Sequence, residues 1–305
     1  MSLLKITFII LFSTSVNAQQ PGQQADQAAT AAPVAAGTVT ANPTLSENLP
    51  KAFSISLFSL GGFSDKQFRN ADPSMEFFDN YVSFNYKFNR DFRISARPAF
   101  GYSTAGRNIF GDEVTDKIRT RDFSLVAKYS NLFEDSLSAK AELANAFRLY
   151  FPTSDSSKDS GMIARLRYEL EGRYNFQKSS NFRYYAKPSY YFQRSSFTVD
   201  ANPKKPNVKT TNKIDLEHGG EFSFEMNSYL AAKPGFEIQE KWTNSAPSKN
   251  KPEIHTTTIR TGFGVEVRPT RDMNFTVAIN DTRDLIVTDK SPETGYTLMT
   301  NISMY

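Results

Sequence analysis

The sequence predicts an all-β chain, an antiparallel transmembrane β-barrel of about twelve strands over residues 51–305. Three observations predict it. Twelve segments alternate apolar and polar residues with period two, the connections between them alternate short and long, and aromatic residues collect at both ends of the segments. Period-two alternation puts successive side chains on opposite faces of a sheet. In a membrane barrel the apolar parity faces lipid and the polar parity faces a lumen.

From the N-terminus, Lys5, an apolar stretch at 6–12 and the small-residue site Val16-Asn17-Ala18 predict a secretory signal peptide over 1–18. Residues 19–50 are rich in Ala, Gln, Pro and Thr, which predicts a disordered periplasmic tail acting as a spacer. The chain has no cysteine, which excludes disulfides, thiol catalysis and a cysteine-borne lipid anchor. Its net charge of +4 is spread along the chain, so no nucleic-acid partner is expected. No later stretch reaches the ~20 apolar residues of a spanning helix, so strands must do any spanning.

The predicted strands cover 51–62, 76–88, 92–104, 118–130, 136–150, 162–176, 182–193, 213–226, 229–242, 254–268, 273–281 and 295–305. The segment at 161–176, GMIARLRYELEGRYNF, shows the pattern most strictly. Leu166, Tyr168, Leu170 and Tyr174 share one parity; Arg165, Arg167, Glu169, Glu171 and Arg173 share the other. Short connections centre on 89–91, 131–135, 177–181, 227–228 and 269–272. Long polar ones cover 63–75, 105–117, 151–161, 194–212, 243–253 and 282–294. Five short and six long connections give twelve strands with both termini on the short-turn side.

Aromatics flank the short turns (Phe88/Phe92, Tyr129/Phe133, Phe176/Phe182, Phe224/Tyr229) and the long loops (Phe100/Tyr102, Phe147/Tyr150, Tyr190/Phe192, Trp242). Two such girdles mark the membrane interfaces. On these features the chain resembles bacterial outer-membrane β-barrels of the porin type over 51–305. The resemblance implies short periplasmic turns, long external loops and a terminal aromatic residue, which Tyr305 supplies. The apolar positions before Tyr305 fall on the other parity, so this residue turns inward or a bulge intervenes.

With the apolar parity in lipid, the lumen contents follow. Ala96-Arg97-Pro98-Ala99-Phe100, Ala186-Lys187-Pro188-Ser189-Tyr190 and Ala232-Lys233-Pro234-Gly235-Phe236 repeat one motif, and Ala139-Lys140-Ala141 is a partial version. Counting from the turns places Arg97, Lys140, Lys187 and Lys233 at similar heights, about 12 Å above the short-turn rim. Glu171 and Glu221 reach that height on returning strands, and Arg165 and Arg167 line the strand between. These eight residues are the predicted pore lining. Two arrangements fit them: a ring of cations at a constriction, or salt-bridge ladders filling a narrow lumen. Proline removes a ladder donor, so local bulges are expected at the three motifs.

The histidines, His218 and His255, stand near no serine in sequence; interface or loop roles are expected for both. Loop carboxylates at 112–116 and 155–159 read as solvated, and no metal site or cofactor is expected. Function then divides three ways. The foremost is a monomeric outer-membrane pore, set in lipid and lipopolysaccharide, passing small hydrophilic and preferentially anionic solutes. The others are a closed barrel working through its external loops, and an outer-membrane hydrolase.

Overall fold

The structure, a computed structural model, describes residues 52–69, 73–107, 112–130, 132, 140–177, 179–199, 208–245, 254–285 and 293–304. The predicted signal peptide at 1–18, the tail at 19–50, Tyr305 and most of the 131–135 connection lie outside the described residues.

Twelve antiparallel strands close into a ring. They are β1 (Phe53–Ser64), β2 (Glu76–Lys87), β3 (Phe92–Arg97, resuming as Ala99–Ser103), β4 (Lys117–Thr120 and Phe123–Tyr129), β5 (Ala141–Phe151) and β6 (Met162–Gln177). Then follow β7 (Ser180–Gln193), β8 (Asn212–Glu225), β9 (Leu230–Thr243), β10 (His255–Thr270), β11 (Met273–Asp284) and β12 (Glu293–Met304). All twelve fall on the predicted segments. Each pairs with its sequence neighbours, and β1 pairs with both β2 and β12, which leaves the ring without an edge. Closure satisfies every strand inside hydrocarbon, where an unpaired backbone group costs several kcal/mol.

Burial identifies the two faces. On β6, Arg165 and Arg167 are 4% and 0% exposed, whereas Leu166 and Tyr174 on the opposite parity are 40% and 43% exposed. A water-soluble sandwich would show the reverse order; charges inside an apolar shell define a membrane barrel. The outward set continues as Phe84, Phe147, Tyr184, Tyr190, Phe222, Phe224 and Phe263.

The two rims differ as predicted. At one rim the side-chain oxygen of Asn89 accepts from the backbone N–H groups of Asp91 and Phe92, and that of Asn227 accepts from Tyr229 and Leu230. An asparagine bonding its own backbone two and three residues on is what lets the chain reverse so tightly. The opposite rim carries the longer connections. There α1 (Asp65–Phe68) starts with a capping box formed by Ser64 and Gln67. The second helix, α2 (Asp155–Asp159), is capped by Ser154; the Ser154 and Ser157 hydroxyls both donate to Asp122, tying two loops together.

The expected bulges at the three prolines resolve differently. At Pro188 and Pro234 the strands run through with unchanged register. The missing N–H shows instead as a gap in one ladder, between Arg167↔Ser189 and Leu170↔Ala186 for Pro188 and between Glu221↔Gly235 and Phe224↔Ala232 for Pro234. Only at Pro98 does the strand break, and the register against β4 shifts by one residue between Arg97↔Ser124 and Phe100↔Thr120.

One stretch departs from the apolar-outside rule. Phe58 and Leu60 of β1, Phe78 and Tyr81 of β2 and Met299 of β12 form a buried apolar cluster. Phe58 and Tyr81 stack with ring centroids 4.9 Å apart, and Leu60 lies opposite Met299 across the closing seam.

Close packing makes one glycine indispensable. A Cβ on Gly219 of β8 would lie 2.2 Å from the Phe236 carbonyl oxygen and 2.8 Å from the Tyr185 hydroxyl. At Gly172 of β6 the nearest atom would be 3.7 Å away. Gly219→Ala is expected to lower the urea midpoint of the detergent-folded barrel by at least the 1–3 kcal/mol typical of overpacking, roughly, and Gly172→Ala to leave it nearly unchanged. Equal midpoints for the two variants would contradict this packing.

Candidate pore lining

The inward charges of β5–β10 form ladders. From the short-turn side, Glu142 meets Arg173 at 3.7 Å, Arg173 meets Glu171 at 3.8 Å, and Glu171 meets Arg183 at 3.9 Å. The chain continues from Arg183 to Glu221 at 3.6 Å, from Glu221 to Lys233 at 3.4 Å, and from Lys233 to Glu266 at 2.7 Å. Arg268 closes it, bonding Glu266 on its own strand and Glu225 at 2.7 Å. Six adjacent strands are thus stitched through side chains as well as through their backbones.

A second group lies farther from that rim. Glu217 accepts from Lys187 at 3.4 Å and faces Arg167 at 3.5 Å, with Arg167 and Glu217 both fully buried. Arg148 pairs with Glu169 at 2.9 Å. The Arg165 guanidinium lies 3.5 Å from the Tyr150 ring centroid and 5.5 Å from that of Tyr191, so aromatic faces hold this cation. Removing charges from water is so costly that a buried charge persists only where partners meet it.

Of the eight predicted residues, six therefore sit in the two groups or beside them: Arg165, Arg167, Glu171, Lys187, Glu221 and Lys233. The other two stand apart. Arg97 lies with its guanidinium 4.8 Å from the Tyr81 ring centroid and donates from Nε to the Ser83 hydroxyl at 3.2 Å. Lys140 is exposed just ahead of β5, where its carbonyl accepts from the Asn175 N–H. Arg97, Lys140, Lys187 and Lys233 are thus in four different surroundings rather than one shared ring.

Between the laddered wall and the opposite side lies a cavity of about 140 Å³. Arg183, Tyr185, Glu221, Lys233, Glu237 and Arg260 line one side; Leu60, Thr276, Ala278, Asn280, Thr297 and Met299 line the other. Tyr185 donates to Glu237 at 3.0 Å, and Arg260 pairs with the same carboxylate at 3.5 Å. Sequence reading missed this second side. Its small inward residues on β11 and β12 carry no charge to attract notice, although their parity was readable.

Both histidines lie on the lipid-facing parity and are brought together. His218 contacts the Tyr184 hydroxyl through Nδ1 at 3.0 Å, and Glu240 bridges His218 at 3.8 Å and His255 at 3.3 Å. His255 stacks on Trp242 with centroids 4.6 Å apart. Neither ring meets a serine among the described residues. No group of three or more His, Asp or Glu able to hold a metal ion occurs among them either.

A closed antiparallel ring with an apolar exterior and a charged, ion-paired interior has the fold of an outer-membrane β-barrel. Comparison with solved structures gives the same architecture. An outer membrane channel from Pseudomonas putida F1 is similar at a TM-score of 0.54 and 10% identity, over 86% of this chain and 98% of that one. The NanC porin aligns at 0.47 and 11% identity over 81% and 98% of the two chains, and the KdgM porin at 0.45 and 12% over 82% and 99%. At these identities the likeness is one of fold. No family model and no curated protein matches the chain by sequence.

The ladders make a definite demand. Arg167→Met leaves Glu217 buried with Lys187 as its partner, and stripping one member from a buried ionic group costs about 3–5 kcal/mol. The expected outcome is a clear fall in the urea midpoint, whereas Lys140→Gln leaves it unchanged. Equal stability of Arg167→Met and the parent would mean that the interior is hydrated rather than tightly paired.

Proposed function

We propose that the protein is a narrow, non-catalytic outer-membrane channel for small hydrophilic solutes, with a modest preference for anions. The cavity beside the laddered wall carries this reading, because it is free space inside the ring bounded by polar groups on one side and small residues on the other. Its lining holds three basic residues, Arg183, Lys233 and Arg260, against two acidic ones, Glu221 and Glu237. That small excess supports anions, and the charges confined to one side of the slot set up a field across it. Twelve strands lie between the eight that side chains fill and the sixteen or more that enclose an open channel, which supports a narrow passage.

In this reading the barrel is monomeric and sits in outer-membrane lipid and lipopolysaccharide, with short turns and both termini on the periplasmic side. Residues 1–18 direct export, and 19–50 are a periplasmic spacer. A closed barrel that acts through its external loops draws support from the complete burial of Arg167 and Glu217.

Purified folded protein in planar bilayers separates the two. The channel reading expects single-channel currents and, under a KCl gradient, a reversal potential of the sign for anions. Ala278→Phe, which fills the slot, is expected to lower conductance several-fold. Silence from verified folded protein would defeat the channel reading, and an unchanged Ala278→Phe conductance would move the path elsewhere.

A further inference from the structure

Each side of the slot carries a polar side chain folded flat onto bare backbone. On the charged side, Tyr185 lies across Gly219 of β8 to donate to Glu237 at 3.0 Å, and Arg260 holds that carboxylate at 3.5 Å. On the facing side, the Asn280 amide of β11 spans its two neighbouring strands. Its Nδ2 donates to the Thr297 hydroxyl of β12 at 2.7 Å. Its Oδ1 rests over Gly262 of β10, the residue directly opposite in the register. Asn280, Gly262 and Thr297 all line the slot.

The two glycines differ in what a side chain there would meet. At Gly219 the nearest atom to an added Cβ is the Phe236 backbone carbonyl oxygen, which the ladder holds in place. At Gly262 the added Cβ would overlap the Asn280 Oδ1 atom, the end of a flexible side chain, with the Ile279 carbonyl oxygen next at 2.9 Å. Gly264, two residues along the same inner wall, would meet only the Thr276 methyl at 3.2 Å, the Ala278 Cβ at 3.4 Å and the Lys233 carbonyl oxygen at 3.6 Å. A close-packed wall relieves an overlap by moving its softest group. A methyl at 264 therefore takes up a little room, whereas a methyl at 262 unseats an amide, and the open space that this amide faces is the slot.

From this geometry we propose that Asn280 sets the bore of the slot, with Gly262 and Thr297 as the positioning residues that seat its amide against the wall. In a cavity of about 140 Å³ one side chain lying flat or standing out is a large share of the free width. The groups presented here are the Asn280 amide and the Thr276 and Thr297 hydroxyls, none of them charged, so this side sorts solutes by cross-section and hydrogen bonding rather than by charge. The inference rests on the channel reading.

The test is single-channel recording of the folded full chain in planar bilayers, with polyethylene glycols of graded size as the probe of bore. Gly262→Ala is expected to lower conductance several-fold and to admit only smaller glycols than the parent. Asn280→Ala added to Gly262→Ala is expected to restore most of the conductance, because the displaced amide is gone. Asn280→Ala alone is expected to admit a larger glycol than the parent. Gly264→Ala, which adds the same methyl without unseating an amide, is expected to stay close to the parent. A Gly262→Ala barrel that conducts like the parent, a double variant no better than Gly262→Ala, or a Gly264→Ala barrel as poor as Gly262→Ala would each overturn the proposal and leave the channel reading standing. In urea the double variant is expected to have a higher midpoint than Gly262→Ala alone, since substitutions at touching positions do not add. A parent that conducts nothing refutes the channel and the bore together, while the midpoints still decide whether Gly262 seats Asn280.

Discussion

Closure of the sheet is the constraint on which everything else depends. In hydrocarbon no water is present to satisfy a strand edge, so β1 and β12 must find each other. Once they do, strict alternation has only one workable orientation, with the rings and aliphatic chains outward and the charges within. The charged interior follows from the lipid exterior. Ion pairing follows in turn, because Arg167 and Glu217 are as far from water as any core leucine in a soluble protein.

The inner wall is divided into sectors with different chemistry. Across β5–β10 cations and carboxylates interleave in ion pairs, so that side chains reinforce the backbone ladder. On β2–β4 Lys87 stands directly opposite Arg93, and Arg93 directly opposite Lys128. Where β1, β2 and β12 meet, the wall is apolar. The slot lies between the laddered sector and this apolar one, which is why its two sides differ so sharply. In the proposed channel, a solute in the slot would meet fixed charges on one side and small, uncharged groups on the other.

Much of this was legible in the sequence. The β6 stretch ARLRYELEGRYNF gives both faces at sight, and the rhythm of connections gives the strand number, since each asparagine-led turn is a local event. What meets what across the lumen is not local. Tilt and stagger between strands decide it, so Lys187 and Lys233, similar in their own motifs, join different carboxylates. Lys140 fell outside because β5 begins one residue later, at Ala141. Phe58 and Leu60 face inward although lipid is the usual home of such side chains in a barrel. Ser54 and Ser56 share their parity and were the cue that it faces the lumen. Lys87 and Lys128 were legible by parity alone; their mutual opposition through Arg93 needed the register.

The seam has a consequence for biogenesis. Its two strands are the most distant in sequence, so their pairing is the slowest contact to form and completes the barrel. β1 bears no charged side chain, and its inward-parity pairs with β12, among them Phe58 against Asn301 and Leu60 against Met299, are uncharged. A ring that waits half-open at this joint therefore exposes no orphaned ion to lipid, and the joint snaps shut without first desolvating one. Charge is kept to the strands that are already zipped.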